Sequence, residues 1–522
     1  MPPARVIAFA GEQDAERPRR GVRESGEDEG EGEGKEAFHG EGRGCRGLRM
    51  LLKRKTRRAN RRILSVQSRA AGVVSALFPP TMSAPTTREL YDRYVIPTYG
   101  RFDLRLARGL GSVVWDEDGK RYLDFGAGIA VTSIGHCHPR VLAAMREQLG
   151  TLVHTSNLYY TRPQAVLAER LVRLVGAAGK VFFCNSGAEA NEALYKLARK
   201  FGNEGVPPAP KHSVGEMIAT DANRHGIITM EGSFHGRTLA GIAATGQEKV
   251  KKGFEPAVEG FQHVPFNDGP ALLAAVQEPG VVAVLMEPIQ GERGVHPASA
   301  AFLKLARELC DRHGLLLMFD EVQCGLGRTG DWCAWKTLLG DASVMPDAVS
   351  WAKGIAGGFP LGAIWVSERT VTLKTGATIA LCDLLGPGSH GTTFGGTPLV
   401  SAGANEVLAV IEEEGMLENA RSIGAHALAQ LRALGSPLIA DVRGVGLMLA
   451  FELVPDFATR VPAIPSGKTP SLFVVEALHA AGLLTVPSGT HAVRWLPPLN
   501  VARAEIDEAV EILRTTLASF SA

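Results

Sequence analysis

KVFFCNSGAEANEALYKLARKFG (180–202) passes from an apolar, strand-forming run through a small polar turn into a helix-forming segment. Three further apolar runs follow, GIITM (226–230), VVAVLM (281–286) and LLLMF (315–319), separated by stretches with helical spacing. Short strands that are apolar throughout and alternate with helices predict an α/β fold with a mostly parallel sheet covered on both faces. Upstream, GSVVWDEDGKRYLDFGAG (111–128) reads as a β-hairpin around DEDGK, and PRVLAAMREQLG (139–150) as a helix opened by proline. Past about residue 400 the order becomes helix, strands, helix, ending in EIDEAVEILRTTLASF (505–520), which predicts a smaller α+β domain.

These shifts divide the chain into an extension (1–81), an N-terminal segment of the small domain (82–150), a large domain (151–400) and the C-terminal part of the small domain (401–522). Proline- and glycine-rich stretches at 202–215 and 455–471 read as surface loops, and no internal repeat is evident. Within the extension, GEDEGEGEGKE (26–36) has no apolar periodicity with which to bury a core. RGLRMLLKRKTRRANRR (46–62) is strongly basic, as a nucleic-acid arm, an organelle transit sequence or a plain disordered extension would be. The third reading is favoured, because charge blocks are often simply solvated tails.

Composition narrows the class. Hydrophobic residues make up 45% and charged residues 21%, as in soluble globular proteins. A net charge of +1 supplies no field that would favour nucleic acid or a membrane. VVAVLM and LLLMF are too short to cross a bilayer, and AAGVVSALF (70–78) lies too deep to be a signal core. The seven cysteines are odd in number, scattered and without a CxxC pair, so a reducing compartment is expected. That is the cytoplasm, or an organelle matrix if the extension is a transit peptide.

Three places carry chemistry. Asn185-Ser186-Gly187-Ala188 ends a strand and opens a helix, where free backbone N–H groups bind phosphate, although serine also serves there as an ordinary helix cap. Asp320 closes LLLMF, and a carboxylate at the end of a buried strand needs a partner, unless it merely caps the next turn. Lys353 lies in PDAVSWAKGIAGGFPLG (346–362), among apolar residues and glycines rather than charges, which argues against a solvated surface lysine. Parallel α/β sheets gather their sites at the carboxyl ends of strands, where all three residues are predicted to lie. A phosphate cradle, a buried acid and an imine-forming amine are the parts needed to hold pyridoxal phosphate. His136-Cys137-His138 mimics a metal site but reads as a turn, and no third cluster completes the spacing, so no metal is expected.

Many separate motifs agree in order: YLDFGAGIAV (122–131), GHCHP (135–139), HTSNLYY (154–160), NSGAEANE (185–192), FHGRT (234–238), EPIQGE (287–292), FDEVQCGLGRTG (319–330), WAKGIAGGFP (351–360), GSHGTTFGG (388–396) and VRGVG (442–446). From about 85 to 520 the chain thereby resembles the acetylornithine aminotransferase family, fold-type I pyridoxal-phosphate enzymes of class III. The resemblance implies that Ser186, Gly187 and Ala188 hold the cofactor phosphate and that Phe234 stacks on the ring. It implies that Asp320 pairs with the ring nitrogen, Gln323 contacts the phenolic oxygen and Lys353 bonds the cofactor. Thr393 would reach the phosphate of a neighbouring subunit, so a homodimer is expected. Arg237 and Arg443 would grip substrate carboxylates, and Glu292 would neutralise Arg443 when an amine substrate is bound.

The activity implied is transfer of the 5-amino group of N2-acetyl-L-ornithine to 2-oxoglutarate in arginine biosynthesis. Relatives of the same fold act on ornithine, 4-aminobutyrate or succinyl-diaminopimelate, and semialdehyde aminomutases share the cofactor apparatus. Ile129 stands where ornithine enzymes carry a tyrosine, which disfavours unacetylated ornithine. A reading from another class, a non-catalytic binding protein with a basic arm on nucleic acid, predicts salt-sensitive binding through 46–62 and no role for Lys353.

Overall fold

The computed structural model describes residues 85–206, 224–341 and 343–520. The 1–81 extension, with its basic run, lies outside the described residues, as does most of the stretch expected to loop at 202–215. The chain separates into two units, the first ending at Val95 and the second running from Ile96. In the first, the helix Thr87–Tyr94 is closed by a capping box: the Thr86 side chain accepts from the Glu89 N–H, and Glu89 accepts from the Thr86 N–H.

The second unit is built around a seven-stranded sheet. Its strands are β1 (Gly179–Cys184), β2 (Gly226–Met230), β3 (Phe261–Val264), β4 (Val281–Met286), β5 (Leu316–Asp320), β6 (Ala348–Trp351) and β7 (Gly362–Ser367), in spatial order β1-β7-β6-β5-β4-β2-β3. Every neighbouring pair is parallel except those made by β7, which runs antiparallel to β1 and β6. Alternation along each strand sends side chains to two cores. On β5, Leu317 and Phe319 join the cluster of Phe302, Trp335 and Trp365, while Leu316 and Met318 join that of Leu194 and Leu197 on helix α1 (Gly187–Glu204). Burial on both faces explains why β4 is apolar from end to end and β5 is apolar up to its closing residue, Asp320.

The hairpin expected at 111–128 is present as Val113–Asp116 against Arg121–Asp124, with Leu106–Leu110 added on one side and Leu483–Leu484 on the other. A separate sheet, antiparallel throughout, holds Ile439–Val445, Met448–Leu453, Ala492–Trp495 and Val486–Ser488. One apolar cluster joins Leu123 and Phe125 near the hairpin to Phe451, Trp495 and Leu513 near the carboxyl end.

Two local expectations needed revision. The helix α1 continues to Glu204, past the start of the expected 202–215 loop, because Phe201 is buried against the sheet. The expected 455–471 loop contains a short helix, Phe457–Arg460, anchored by the buried Phe457 ring beside Phe520. The glycine-rich stretch after Lys353 ends in a fully embedded strand, since β7 starts at Gly362 and hydrogen-bonds on both edges.

Candidate active site

The carboxyl ends of β1, β5 and β6 converge on a cavity of about 460 Å³, lined among others by Ser186, Phe234, Asp320, Gln323 and Lys353. Gly187, Ala188 and Arg237 line it too. Eight of the expected site residues thus meet in one cavity, and Glu292, Thr393 and Arg443 lie outside its lining.

Ser186 is the N-cap of α1, its hydroxyl oxygen accepting from the Glu189 N–H at 3.2 Å. The cap bond uses a lone pair and leaves the hydroxyl proton free, so the capping and donor readings are compatible. Gly187 and Ala188 are the first residues of the helix, where N–H groups have no intrahelical acceptor. A Cβ on Gly187 would stand 2.7 Å from Val322 Cγ1, so only glycine lets the turn after β5 press against this cradle.

Asp320 is buried and held from three directions. Its Oδ2 accepts from Asn191 Nδ2 at 2.7 Å and lies 2.8 Å from His235 Nδ1, and its Oδ1 accepts from the Val322 N–H at 3.0 Å. Ser350 on β6 donates to Asn191 Oδ1 at 2.7 Å, which fixes the amide's orientation. Neighbouring Glu287 accepts from the Phe234 N–H at 3.0 Å, and burial raises its carboxyl to about 7. Burial would lower the His235 imidazole, but the bond to Asp320 and its charge outweigh that and raise it.

Lys353 opens a short turn immediately beyond β6 with φ of 44°. A lysine in the left-handed region is strained, a feature that gathers at functional sites. Its amine is buried, which lowers its pKa; nearby Glu292 opposes the shift and Arg494 adds to it.

Glu292 does not neutralise Arg443, contrary to the expectation. Its Oε1 pairs with Arg494 Nη1 at 2.9 Å and accepts from Gln323 Nε2 at 3.2 Å, while Arg494 also donates to Gln323 Oε1 at 2.7 Å. Burial alone would raise Glu292, but the charges of Arg494 and Lys353 prevail and hold it at about 2. Arg443 is engaged by Asp441 at 2.7 Å and Glu452 at 2.6 Å, and it donates to the Gly294 carbonyl. The reason is register: Arg443 opposes Ala450, with its carboxylate partners beside it on the same two strands, whereas Arg494 lies on the next strand, opposite Ala450 from the other side. Sequence reading missed Arg494, Asn191, His235, Glu287 and Ser350. For Arg494 a signal existed, since an arginine inside the apolar run AVRWLPPL (492–499) must find a buried partner.

Arg237 is exposed at the cavity wall, with its guanidinium carbon 5.6 Å from the Phe234 ring centroid. Thr393 is exposed and lines a separate small cleft with His154 and Asn157. His136 and His138 are engaged by Asp124 at 2.8 Å and Glu414 at 3.4 Å, and Cys137 between them has φ of 54°, so the stretch is a turn, not a strand.

The class-III aminotransferase family matches residues 94–517. The chain belongs to that family. It is 44% identical over 442 residues to acetylornithine aminotransferase of Thermosynechococcus vestitus, covering 83% of this chain and 97% of the relative. Among solved structures, it is similar to acetylornithine aminotransferase of Elizabethkingia anophelis (TM-score 0.67, 30% identity, 83% and 98% covered). It is also similar to ornithine aminotransferase of Toxoplasma gondii (TM-score 0.72, 30% identity, 83% and 96% covered). This class-III aminotransferase is a pyridoxal-phosphate-dependent enzyme of fold type I.

The chain's own residues fit that cofactor. The cavity volume is within the range of small-molecule sites. A helix N-terminus with free N–H groups faces it, a buried carboxylate lies at its floor, and a buried amine of lowered pKa lies beside both.

Proposed function

We propose that the enzyme transfers the 5-amino group of N2-acetyl-L-ornithine to 2-oxoglutarate, giving N-acetyl-L-glutamate 5-semialdehyde and L-glutamate, a step of arginine biosynthesis. One observation carries the substrate assignment: relatives 42–44% identical over more than four fifths of the chain are named acetylornithine aminotransferase. Ile129 in place of a tyrosine supports an acylated rather than a free α-amine.

In this reading the N–H groups of Gly187 and Ala188 and the Ser186 hydroxyl hold the phosphate, and Phe234 lies against the ring. Asp320 takes the ring nitrogen and Gln323 the phenolic oxygen. When bound, the cofactor supplies an electron sink for the substrate carbon and carries the amino group between half-reactions. Lys353 would hold the cofactor through its amine, and its free Nζ would move the proton at the reacting carbon, a task suited to a desolvated amine of lowered pKa. Arg237 grips the acetylornithine carboxylate. Arg494 takes the α-carboxylate of 2-oxoglutarate or glutamate, and Glu292 neutralises Arg494 when an amine donor occupies that end.

Thr393 is assigned to the phosphate site of a second copy, making the enzyme a homodimer. Support comes from the apolar surface around it: Phe394, Leu158, Tyr159 and Tyr160 are all exposed in the single chain. A reducing compartment such as the cytoplasm suits the six free cysteines among the described residues. No described helix is long and apolar enough to cross a membrane.

A coupled assay comparing N2-acetylornithine, ornithine, 4-aminobutyrate and succinyl-diaminopimelate as donors to 2-oxoglutarate tests the assignment, with Lys353→Ala as the blank. Preference for acetylornithine, lost in the variant, is the expected outcome; preference for another donor overturns the substrate.

A further inference from the structure

We propose that His235 is a positioning residue for Asp320, fixing one carboxylate oxygen so that the other is presented to the cofactor ring. The proposal rests on the reading that Asp320 meets the ring nitrogen. His235 follows Phe234 in the loop that opens beyond β2, and its side chain is fully enclosed, as is nearly all of Asp320's. Nδ1 lies 2.8 Å from Oδ2 of Asp320, and Asn191 Nδ2 lies 2.7 Å from the same oxygen. An ionised carboxylate can only accept, so Nδ1 of His235 carries its proton.

The bonds to Asp320 can be counted. A carboxylate offers about four acceptor positions. Two on Oδ2 are filled by His235 and Asn191, and one on Oδ1 is filled by the Val322 N–H. The remaining position is on Oδ1. Without His235, Oδ2 would lose one of its two donors and the carboxylate could rotate to present either oxygen. The imidazole is itself held by its backbone, since the His235 N–H donates to Thr245 Oγ1 at 2.9 Å and its carbonyl accepts from Asn191 Nδ2 at 3.0 Å. Asn191 therefore touches both members of the pair, and Ser350 orients Asn191. Nε2 of His235 is buried without a protein partner among the described residues, so the only bond the ring makes there is the one to Asp320. A histidine kept solely for packing would not need an enclosed polar nitrogen, whose desolvation has a cost.

The test compares wild type, His235→Asn, His235→Gln and His235→Leu. Three readouts are the pyridoxal phosphate Kd of the apoenzyme, the kcat and KM for amino donor, and the melting temperature of the apoenzyme. An asparagine amide nitrogen can occupy the place of Nδ1, and a glutamine amide nitrogen reaches only the place of Nε2. We expect His235→Asn to retain most cofactor affinity and kcat. His235→Leu and His235→Gln should weaken cofactor binding and lower kcat by about 10- to 100-fold, the scale of one buried charge-assisted hydrogen bond, with KM little changed. If His235→Leu does not fold, the contrast between Asn and Gln decides. His235→Gln or His235→Leu matching wild type in Kd and kcat would overturn the proposal alone. So would His235→Asn failing as badly as His235→Gln with an unchanged melting temperature. Wild type that neither binds the cofactor nor transaminates would overturn the functional reading and this proposal with it.

Discussion

Arg494 Nη1 lies 2.9 Å from Glu292 Oε1, and the guanidinium is almost wholly enclosed. The same nitrogen reaches Gln323 at 2.7 Å, and Gln323 lines the cavity, so the cation proposed to bind a substrate carboxylate is already neutralised and hydrogen-bonded in the free enzyme.

Glu292→Ala should therefore separate the two half-reactions. With its partner gone, Arg494 binds dicarboxylates more tightly, so KM for 2-oxoglutarate falls while kcat/KM for the amino donor drops about tenfold. The apoenzyme should also melt lower, because a buried cation has lost its partner. The loss should stay below the roughly 3–5 kcal/mol of a fully enclosed pair, since the Glu292 side chain is 26% exposed. Arg443→Ala, by contrast, should leave both KM values nearly unchanged, which steady-state kinetics on the three proteins would check.

Lys353→Ala should abolish turnover by at least about 1000-fold and leave the fold intact. Its effect on apoenzyme stability has a defined sign. Burial lowers the folded-state pKa of this amine below its unfolded value, so the unfolded chain binds more protons and stability rises with pH as the folded pKa is passed. Everywhere below the unfolded value the buried lysine is a liability, so Lys353→Met should melt above the wild-type apoenzyme in neutral buffer. A lower melting temperature for Lys353→Met would contradict the assigned cause.

Glu321 offers a second pH prediction. It is fully buried beside the Trp335 N–H at 3.2 Å, and burial raises its carboxyl to about 8. A raised acid binds protons better folded than unfolded. Its contribution to stability is present below the unfolded carboxyl range and is lost as pH rises through about 8. Glu321→Gln should flatten the decline of melting temperature between mildly acidic and mildly basic buffer, an effect on the order of a few kcal/mol at most. Parallel melting curves for variant and wild type across that range would show that the carboxyl does not titrate there.

Gly187→Ala tests the cradle. The new methyl would meet Val322 Cγ1 at 2.7 Å and push apart the turn after β5 and the start of α1. Overpacking of this kind costs about 1–3 kcal/mol, and if it falls on the site rather than the core it appears as about a 10- to 100-fold weaker cofactor Kd. Fluorescence titration of the apoenzyme measures this directly.

The sequence determined what depends on local order. Strands apolar on both faces, the turn Ser186-Gly187 between strand and helix, and the strand ends bearing Asp320 and Lys353 all follow from patterns a few residues long. That is why Ser186, Gly187, Ala188, Asp320 and Lys353 are legible in the chain itself, while Phe234, Gln323 and Arg237 came from the family resemblance; all eight line one cavity in the fold. Pairings between distant segments are a different matter. Whether Glu292 meets Arg443 or Arg494 depends on which antiparallel strand carries which residue to the sheet edge, and the two arginines lie on opposite sides of Met448–Leu453. Asn191 and His235 look like an ordinary helix residue and an ordinary loop residue until folding brings them within 2.8 Å of Asp320, 129 and 85 positions away. Tertiary structure alone decided these contacts, because a hydrogen bond acts over about 3 Å while the chain separating its partners leaves no local trace of their meeting.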